Sequence, residues 1–322
     1  LKGPTCVGRY ASIVRKLYCA SFWSFTGIRP DIGSSAMQIE PSGQACGARV
    51  TGIDFSSELD RATINSIRAA WLDHHVLAFP DQQLSDDDLV RVTHYFGKLG
   101  AEPFFLPIDG SDHVVALTRR ADEKAPVFAE NWHADWAFLE DPPIGTCLYS
   151  LVIPPVGGNT GFANQHLALQ KMPSTLRERL EGRTGLYSAA TAYAPDGMYG
   201  AGEQEADRSM KIKYSEEARA VQRHRIIHPH PETGRATIRA CLGYITAIEG
   251  MREQESLDLL TELYHWQTRE EFQYTHQWEP GMFVIWDNRS CLHRAYGGYD
   301  GYDRELHRTT VYGDPGRYLE TC

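Results

Sequence analysis

The sequence predicts an α+β protein on an antiparallel sheet scaffold, and three features of the chain point there. Short apolar or alternating runs bounded by proline or glycine recur along it, as in Val76–Phe79 before Pro80, 145–153 before Pro154, and Phe283–Asp287 after Gly281. Stretches with helical spacing are fewer and stand apart from these runs. No internal repeat, low-complexity tract or change of composition divides the chain, so residues 37–322 are expected to form a single domain.

Taken in order, 48–54 reads as the first strand. Asp60 then caps a helix whose apolar positions Ile64, Ile67, Ala70 and Trp71 follow the helical period. Val76–Phe79 is a strand that Pro80 ends, because proline has no N–H to give a ladder. Ser85 with Asp86, Asp87 and Asp88 opens a second helix that stops at Gly97, and these acids read as a cap at the positive dipole end, not as a metal cluster. Strands are expected at 114–117, 129–138 and 145–153. Short helices follow at 164–172 and 174–181, the second with Ser174 as its N-cap and Gly182 at its end. The polar, Gly/Ala-rich stretch 187–223 shows no period, which reads as an active-site lid or a disordered insertion. Beyond it, 226–231 and 237–244 form a strand, turn and returning strand. A helix runs through Glu253, Leu257, Leu260 and Leu263, and 272–278 is a strand that turns at Glu279-Pro280-Gly281 into the buried strand Phe283–Asp287.

At 322 residues the chain can bury a sizeable core, and its 42% hydrophobic and 23% charged content is ordinary for a globular protein. The formal net charge of −10 argues against a nucleic-acid partner. No apolar run approaches the ~20 residues that a membrane span needs. Seven scattered cysteines, none in a Cys-x-x-Cys pair, fit a reducing, cytoplasmic location better than a disulfide framework. Cys291, close to His293, reads as a small buried side chain. Residues 1–36 are basic and acid-poor up to Asp31. With Met37 read as the native start they are a weakly ordered or non-native extension, and a targeting leader is the competing reading. Self-association into a homo-oligomer is left open.

Candidate chemistry gathers in two distant stretches. In Asn131-Trp132-His133-Ala134-Asp135-Trp136, His133 and Asp135 are two apart, so on an extended backbone they face the same side. An imidazole and a carboxylate are two of the ligands of a 2-His-1-carboxylate iron site. Alone, the pair is better explained by an imidazole bonded to a nearby carboxylate or backbone group. The second stretch places His293 where a loop leaves the sheet after Phe283–Asp287. Arg304 and Arg308 follow, four apart on an extended segment. They share a face, and each guanidinium fork suits a carboxylate, so one site could hold two anions. Two other features are set aside. His228 and His230 read as part of a strand and turn because prolines flank them. The glycines of Gly157-Gly158-Asn159-Thr160-Gly161 are explained by turn chemistry, since a phosphate loop would need a following Lys-Ser/Thr.

Together, Trp132-His133-x-Asp135, Gly157-Gly158-Asn159-Thr160-Gly161-Phe162, Trp286-Asp287-Asn288 with His293-Arg294-Ala295, and Arg304 with Arg308-Thr309-Thr310-Val311 resemble the taurine and 2,4-dichlorophenoxyacetate dioxygenase family. The resemblance runs from about residue 38 to 314. It implies a double-stranded β-helix, or jelly roll, with helices packed outside. It also implies Fe(II) held by His133, Asp135 and His293, with 2-oxoglutarate as cosubstrate, its distal carboxylate held by Arg304 and Thr160. The expected reaction hydroxylates a C–H of a small acid-bearing substrate, aryloxyalkanoate-, sulfonate- or amino-acid-like, consuming dioxygen and releasing succinate and CO2. An acid at position 135 favours hydroxylation, because related halogenases carry a small residue there. Arg308 is the expected anchor of the substrate's own anion. Glu102 and Phe105 stand where taurine enzymes have a histidine and a tyrosine, which makes taurine doubtful and suggests an aromatic body against Phe105 or a cationic group for Glu102. Two other readings compete. A non-catalytic jelly-roll binding protein with a retained metal pocket leaves the full ligand and arginine set without a chemical reason. Zinc hydrolysis leaves Arg304 and Thr160 unexplained.

Overall fold

The computed structural model describes residues 36–202 and 208–313, so the reading of 1–36 as an extension falls, except for Ala36, outside the described residues. The larger sheet has eight strands. Its centre is Phe283–Asp287, Gly145–Val152 and Arg304–Tyr312, paired antiparallel in that order. On one flank lie Val76–Phe79, Ala48–Thr51 and Gln38–Pro41, with a single parallel pairing between the first two. On the other flank, Val115–Arg119 and Lys98–Leu99 both pair with Arg304–Tyr312. A second sheet has Thr160–Asn164 between Gln273–His276 and Cys291–Ala295.

Side chains from both sheets meet in one apolar interior. Leu148, Val284, Trp286 and Leu306 from the larger sheet pack with Phe162, Tyr274 and Cys291 from the smaller, and the rings of Phe162 and Trp286 lie 5.5 Å apart. On the other face of the larger sheet, helices Arg61–His74 and Asp86–His94 bury Ile67, Trp71, Leu89 and Val92 against Leu77, Phe79, Phe283 and Ile285. Both helix starts follow the predicted chemistry. The Asp60 carboxylate accepts from the Thr63 N–H, and Ser85 and Asp88 cap each other's backbone reciprocally.

Several element boundaries differ from the sequence reading. The second helix ends at His94, with Tyr95 as its C-cap and Gly97 beyond it at φ 157°. The helix Ser174–Leu180 has Pro173, not Ser174, at its N-cap, and no side chain caps it. The returning strand at 237–244 shortens to Ala236–Ile238. The stretch 187–223 is not uniformly irregular. It holds the helix Ala190–Tyr193 and the strand Gln222–Arg225, and it sends Tyr193, Ala194 and Met210 into the core, so apolar anchors override its polar average. Among the described residues, no helix is long and apolar enough to cross a membrane.

Candidate metal centre and its cavities

The stretch 129–138 is not the predicted strand. Only His133 pairs, in an isolated antiparallel bridge with His293, where the two backbones exchange N–H···O bonds of 2.9 and 2.7 Å. Ala129 at φ 63° and Trp136 at φ 48° turn the chain away on either side. That left-handed backbone costs a non-glycine residue about 1–2 kcal/mol and is held here by its surroundings. Asp135 therefore sits in a turn. His293 is corrected too, since it lies mid-strand in Cys291–Ala295 and not on a departing loop. The apolar run Phe283–Asp287 and His293 belong to different sheets.

The bridge brings the three side chains to one point. The ligating atoms of His133, Asp135 and His293 all lie within 4.8 Å of one another. Asp135 Oδ1 is 3.8 Å from His133 Nε2, and Asp135 Oδ2 is 3.7 Å from His293 Nε2. His133 Nδ1 lies 2.8 Å from the Asn131 carbonyl, so Nδ1 carries the proton and Nε2 keeps a free lone pair. His293 Nδ1 is buried with no hydrogen-bond partner among the described residues. Thr146 donates to Asp135 Oδ2 at 2.6 Å and is itself held by Asn288 Nδ2 at 2.9 Å. Burial pushes the Asp135 carboxyl up, but Arg308 foremost and the two imidazoles outweigh it and hold the group at about 2. Burial pushes both histidines down, His293 to about 3. One ionised carboxylate and two neutral imidazoles form the donor set that a divalent metal requires, so the residues fit such an ion.

Arg304 and Arg308 do share a face of Arg304–Tyr312, while the alternate His307 turns to Asp86 on the opposite side. Both arginines line a small cavity of about 80 Å3 together with His133, His293 and Thr160. Arg304 has no carboxylate partner among the described residues, and its Nε is shut from solvent without a hydrogen bond. The turn before Thr160 makes room for it. Gly158 sits at φ +67°, and a β-carbon there would lie 3.2 Å from Arg304 Nε. Arg308 lies deeper, 4% exposed, with Nη1 3.2 Å from Asp135 Oδ1 and Nε 3.2 Å from Glu102 Oε1.

Glu102 and Phe105 are near the centre but not open to a ligand. Glu102 is 6% exposed and also accepts from the Trp136 indole at 2.8 Å. Phe105 is 1% exposed. Its ring and that of Trp136 each stand 5.2 Å from the Arg308 guanidinium. Neither Glu102 nor Phe105 lines either of these two cavities, and both contact Arg308. The aromatic surface is elsewhere. A larger cavity of about 630 Å3 adjoins His133 and is walled by Phe128, Trp132, Tyr193, Tyr199, Tyr244 and Tyr264. Sequence reasoning missed this wall, because its members come from separate segments with no shared spacing. It also missed Thr146, an unremarkable strand position until it meets Asp135.

Residues 38–310 match the family described as taurine catabolism dioxygenase TauD, TfdA family. An alkylsulfatase of Acinetobacter baylyi is 32% identical over 270 residues, covering 83% of this chain and 82% of that protein. An (S)-phenoxypropionate/alpha-ketoglutarate-dioxygenase of Delftia acidovorans is 32% identical over 276 residues, covering 81% and 90% respectively. Among solved structures, a taurine dioxygenase from Burkholderia xenovorans superposes with a TM-score of 0.71 at 28% identity, over 87% of this chain and 92% of that one. On the strength of that match across most of its length, the chain belongs to the taurine catabolism dioxygenase TauD, TfdA family.

Proposed function

We propose that this protein hydroxylates a C–H of a small acid-bearing substrate with a bulky apolar body, with His133, Asp135 and His293 as iron ligands, Arg304 and Thr160 holding the distal carboxylate of 2-oxoglutarate, and Arg308 holding the substrate's anion. Family membership makes the chain an alpha-ketoglutarate-dependent dioxygenase with Fe(II) and 2-oxoglutarate as its cofactor and cosubstrate. Dioxygen is consumed, succinate and CO2 leave, and one oxygen atom enters the substrate. Bound iron supplies the oxidising chemistry. The rest falls to the protein. His133, His293 and Asp135 would hold the ion through two neutral imidazoles and one carboxylate. The aromatic cavity beside His133 suits an apolar body, and its volume lies in the usual range for small-molecule sites. Glu102, Phe105 and Trp136 position Arg308 from behind.

One observation carries this reading. His133 and His293, which converge with Asp135 on one point, line a cavity that also holds Arg304, a guanidinium with no acid partner among the described residues. A half-buried cation whose Nε is shut from solvent and unbonded calls for an anion from outside the protein. The two packed sheets also support reading the core as a double-stranded β-helix.

The test is anaerobic addition of Fe(II) and then 2-oxoglutarate, which produces a weak visible charge-transfer band, followed by succinate release when oxygen enters. A screen of sulfonates, aryloxy acids, sulfate esters and amino acids, each paired with an uncharged analogue, then assigns Arg308. Turnover of acids but not of their neutral analogues is expected, and equal turnover of both removes the role given to Arg308. A band without succinate from any substrate would favour the non-catalytic binding protein.

A further inference from the structure

Behind the small cavity a buried indole contacts the residue proposed to hold the cosubstrate. Trp278, 7% exposed, donates its Nε1–H to Thr160 Oγ1 at 3.0 Å, yet does not itself line the cavity. Thr160 opens the strand Thr160–Asn164 and pairs in register with His276, two residues before Trp278. The indole is itself braced. The His276 ring meets it edge-on at 4.7 Å and 89°, and His276 Nδ1 lies 2.9 Å from the Tyr274 hydroxyl.

The donor count at Thr160 is informative. An indole and a guanidinium can only donate, whereas a hydroxyl has one hydrogen to give and two lone pairs to fill. The Trp278 N–H takes one lone pair, and Arg304 on the same cavity offers only further donors. Among the described residues, no acceptor takes the Thr160 hydrogen. It is left without a partner among those residues and free to meet a ligand.

We infer that Trp278 is a positioning residue for the cosubstrate: its N–H fixes the Thr160 hydroxyl so that the hydroxyl hydrogen faces the distal carboxylate beside Arg304. The inference rests on the reading of Thr160 and Arg304 given above. A hydroxyl held in its binding orientation loses no rotational freedom when the anion arrives, which is the gain from preorganisation. A Trp278 that only packs would support binding of any 2-oxo acid alike. A Trp278 that aims Thr160 matters only when a distal carboxylate is there to meet.

Calorimetric titration of oxygen-free, Mn(II)-loaded protein with 2-oxoglutarate, and with 2-oxovalerate, which lacks the second carboxylate, separates these roles. Thr160→Val is expected to weaken 2-oxoglutarate about tenfold, the scale of one lost hydrogen bond to a charged group, and Trp278→Phe to weaken it by roughly half that factor or more. The double variant is expected to bind no worse than Thr160→Val, and 2-oxovalerate to bind all four proteins within about twofold. Unchanged binding in Thr160→Val overturns the reading of Thr160 itself. A Thr160→Val loss with unchanged Trp278→Phe, with additive losses, or with an equal loss for 2-oxovalerate, overturns the role given to Trp278 alone. If Trp278→Phe does not fold, Trp278→Leu takes the same comparisons.

Discussion

Two buried charge clusters in this chain are made from the same residue types, and they end in opposite states. Around Asp287, every lone pair in reach is used. Arg289 gives three bonds, from its backbone N–H, Nε and Nη2, at 2.7–2.9 Å, and His230 lies 3.0 Å from Oδ2. Arg289 and Arg68 in turn share Glu232. Around Asp135, the same kinds of group leave atoms over. His293 Nδ1, Arg304 Nε and Arg308 Nη2 are buried without hydrogen bonds among the described residues. A saturated cluster serves the fold, because nothing is left to bind. An unsaturated one is stable only with a ligand or at a cost, and that marks the functional centre.

The comparison breaks first at the proposed metal ligands. His133→Ala is expected to abolish the anaerobic charge-transfer band and succinate release while leaving the melting temperature of the metal-free protein nearly unchanged, checked by absorbance and calorimetry. A retained band would mean that these three residues are not the ligand set. Asp287→Ala is expected to do the reverse. It leaves Arg289 and His230 buried without their partner and so costs about 3–5 kcal/mol of stability by urea denaturation. The surviving folded protein should keep its turnover per bound iron, and a fall in turnover with intact stability would erase the distinction between the clusters.

Smaller effects sharpen the contrast. Thr146→Val removes the 2.6 Å bond to Asp135 and frees Asn288 Nδ2, and is expected to weaken metal binding roughly 10–100-fold, measured by competition with a chelator. Acid should then act through buried histidines outside the proposed ligand set. Burial pushes His75 and His276 down to about 3, against an ordinary value of about 6.5. His75 is faced by His166, His230, Asp287 and Arg235, and His276 by Glu279, Arg49 and Arg304. Both stay neutral when folded and take up a proton when unfolded. Their contribution is therefore full above about pH 6.5 and falls as the pH drops toward 3, by roughly 2 kcal/mol per histidine at most between pH 7 and 5. Replacing His276 with Phe should flatten that part of the profile in proportion, and an unchanged slope would show that the imidazole titrates freely in the folded protein.

The site was legible where its rules are local. Strand alternation put Arg304 and Arg308 on one face, and Ser85 with Asp88 gave a cap; both rest on spacings of two to four residues. The strand assigned to 129–138 failed for a related reason. Positive φ at Ala129 and Trp136 is imposed by contacts such as the Trp136 indole on Glu102, not by residue type. His133 and Asp135 still share a focus, but through a bridge to His293 and a turn.

What the amino-acid sequence settled alone is which chemical groups are available: two imidazoles and one carboxylate, two guanidinium groups, and the short runs that become strands. The tertiary structure alone decided how those groups are used. It closed the ring of bonds around Asp287 while leaving the Asp135 cluster open, set Glu102 and Phe105 behind Arg308, and gathered six aromatic rings from separate segments beside His133. The division follows from range. Propensity, capping and alternation act over a few neighbouring residues, but whether a buried polar atom finds a partner depends on segments far away in the chain, and only folding brings those together.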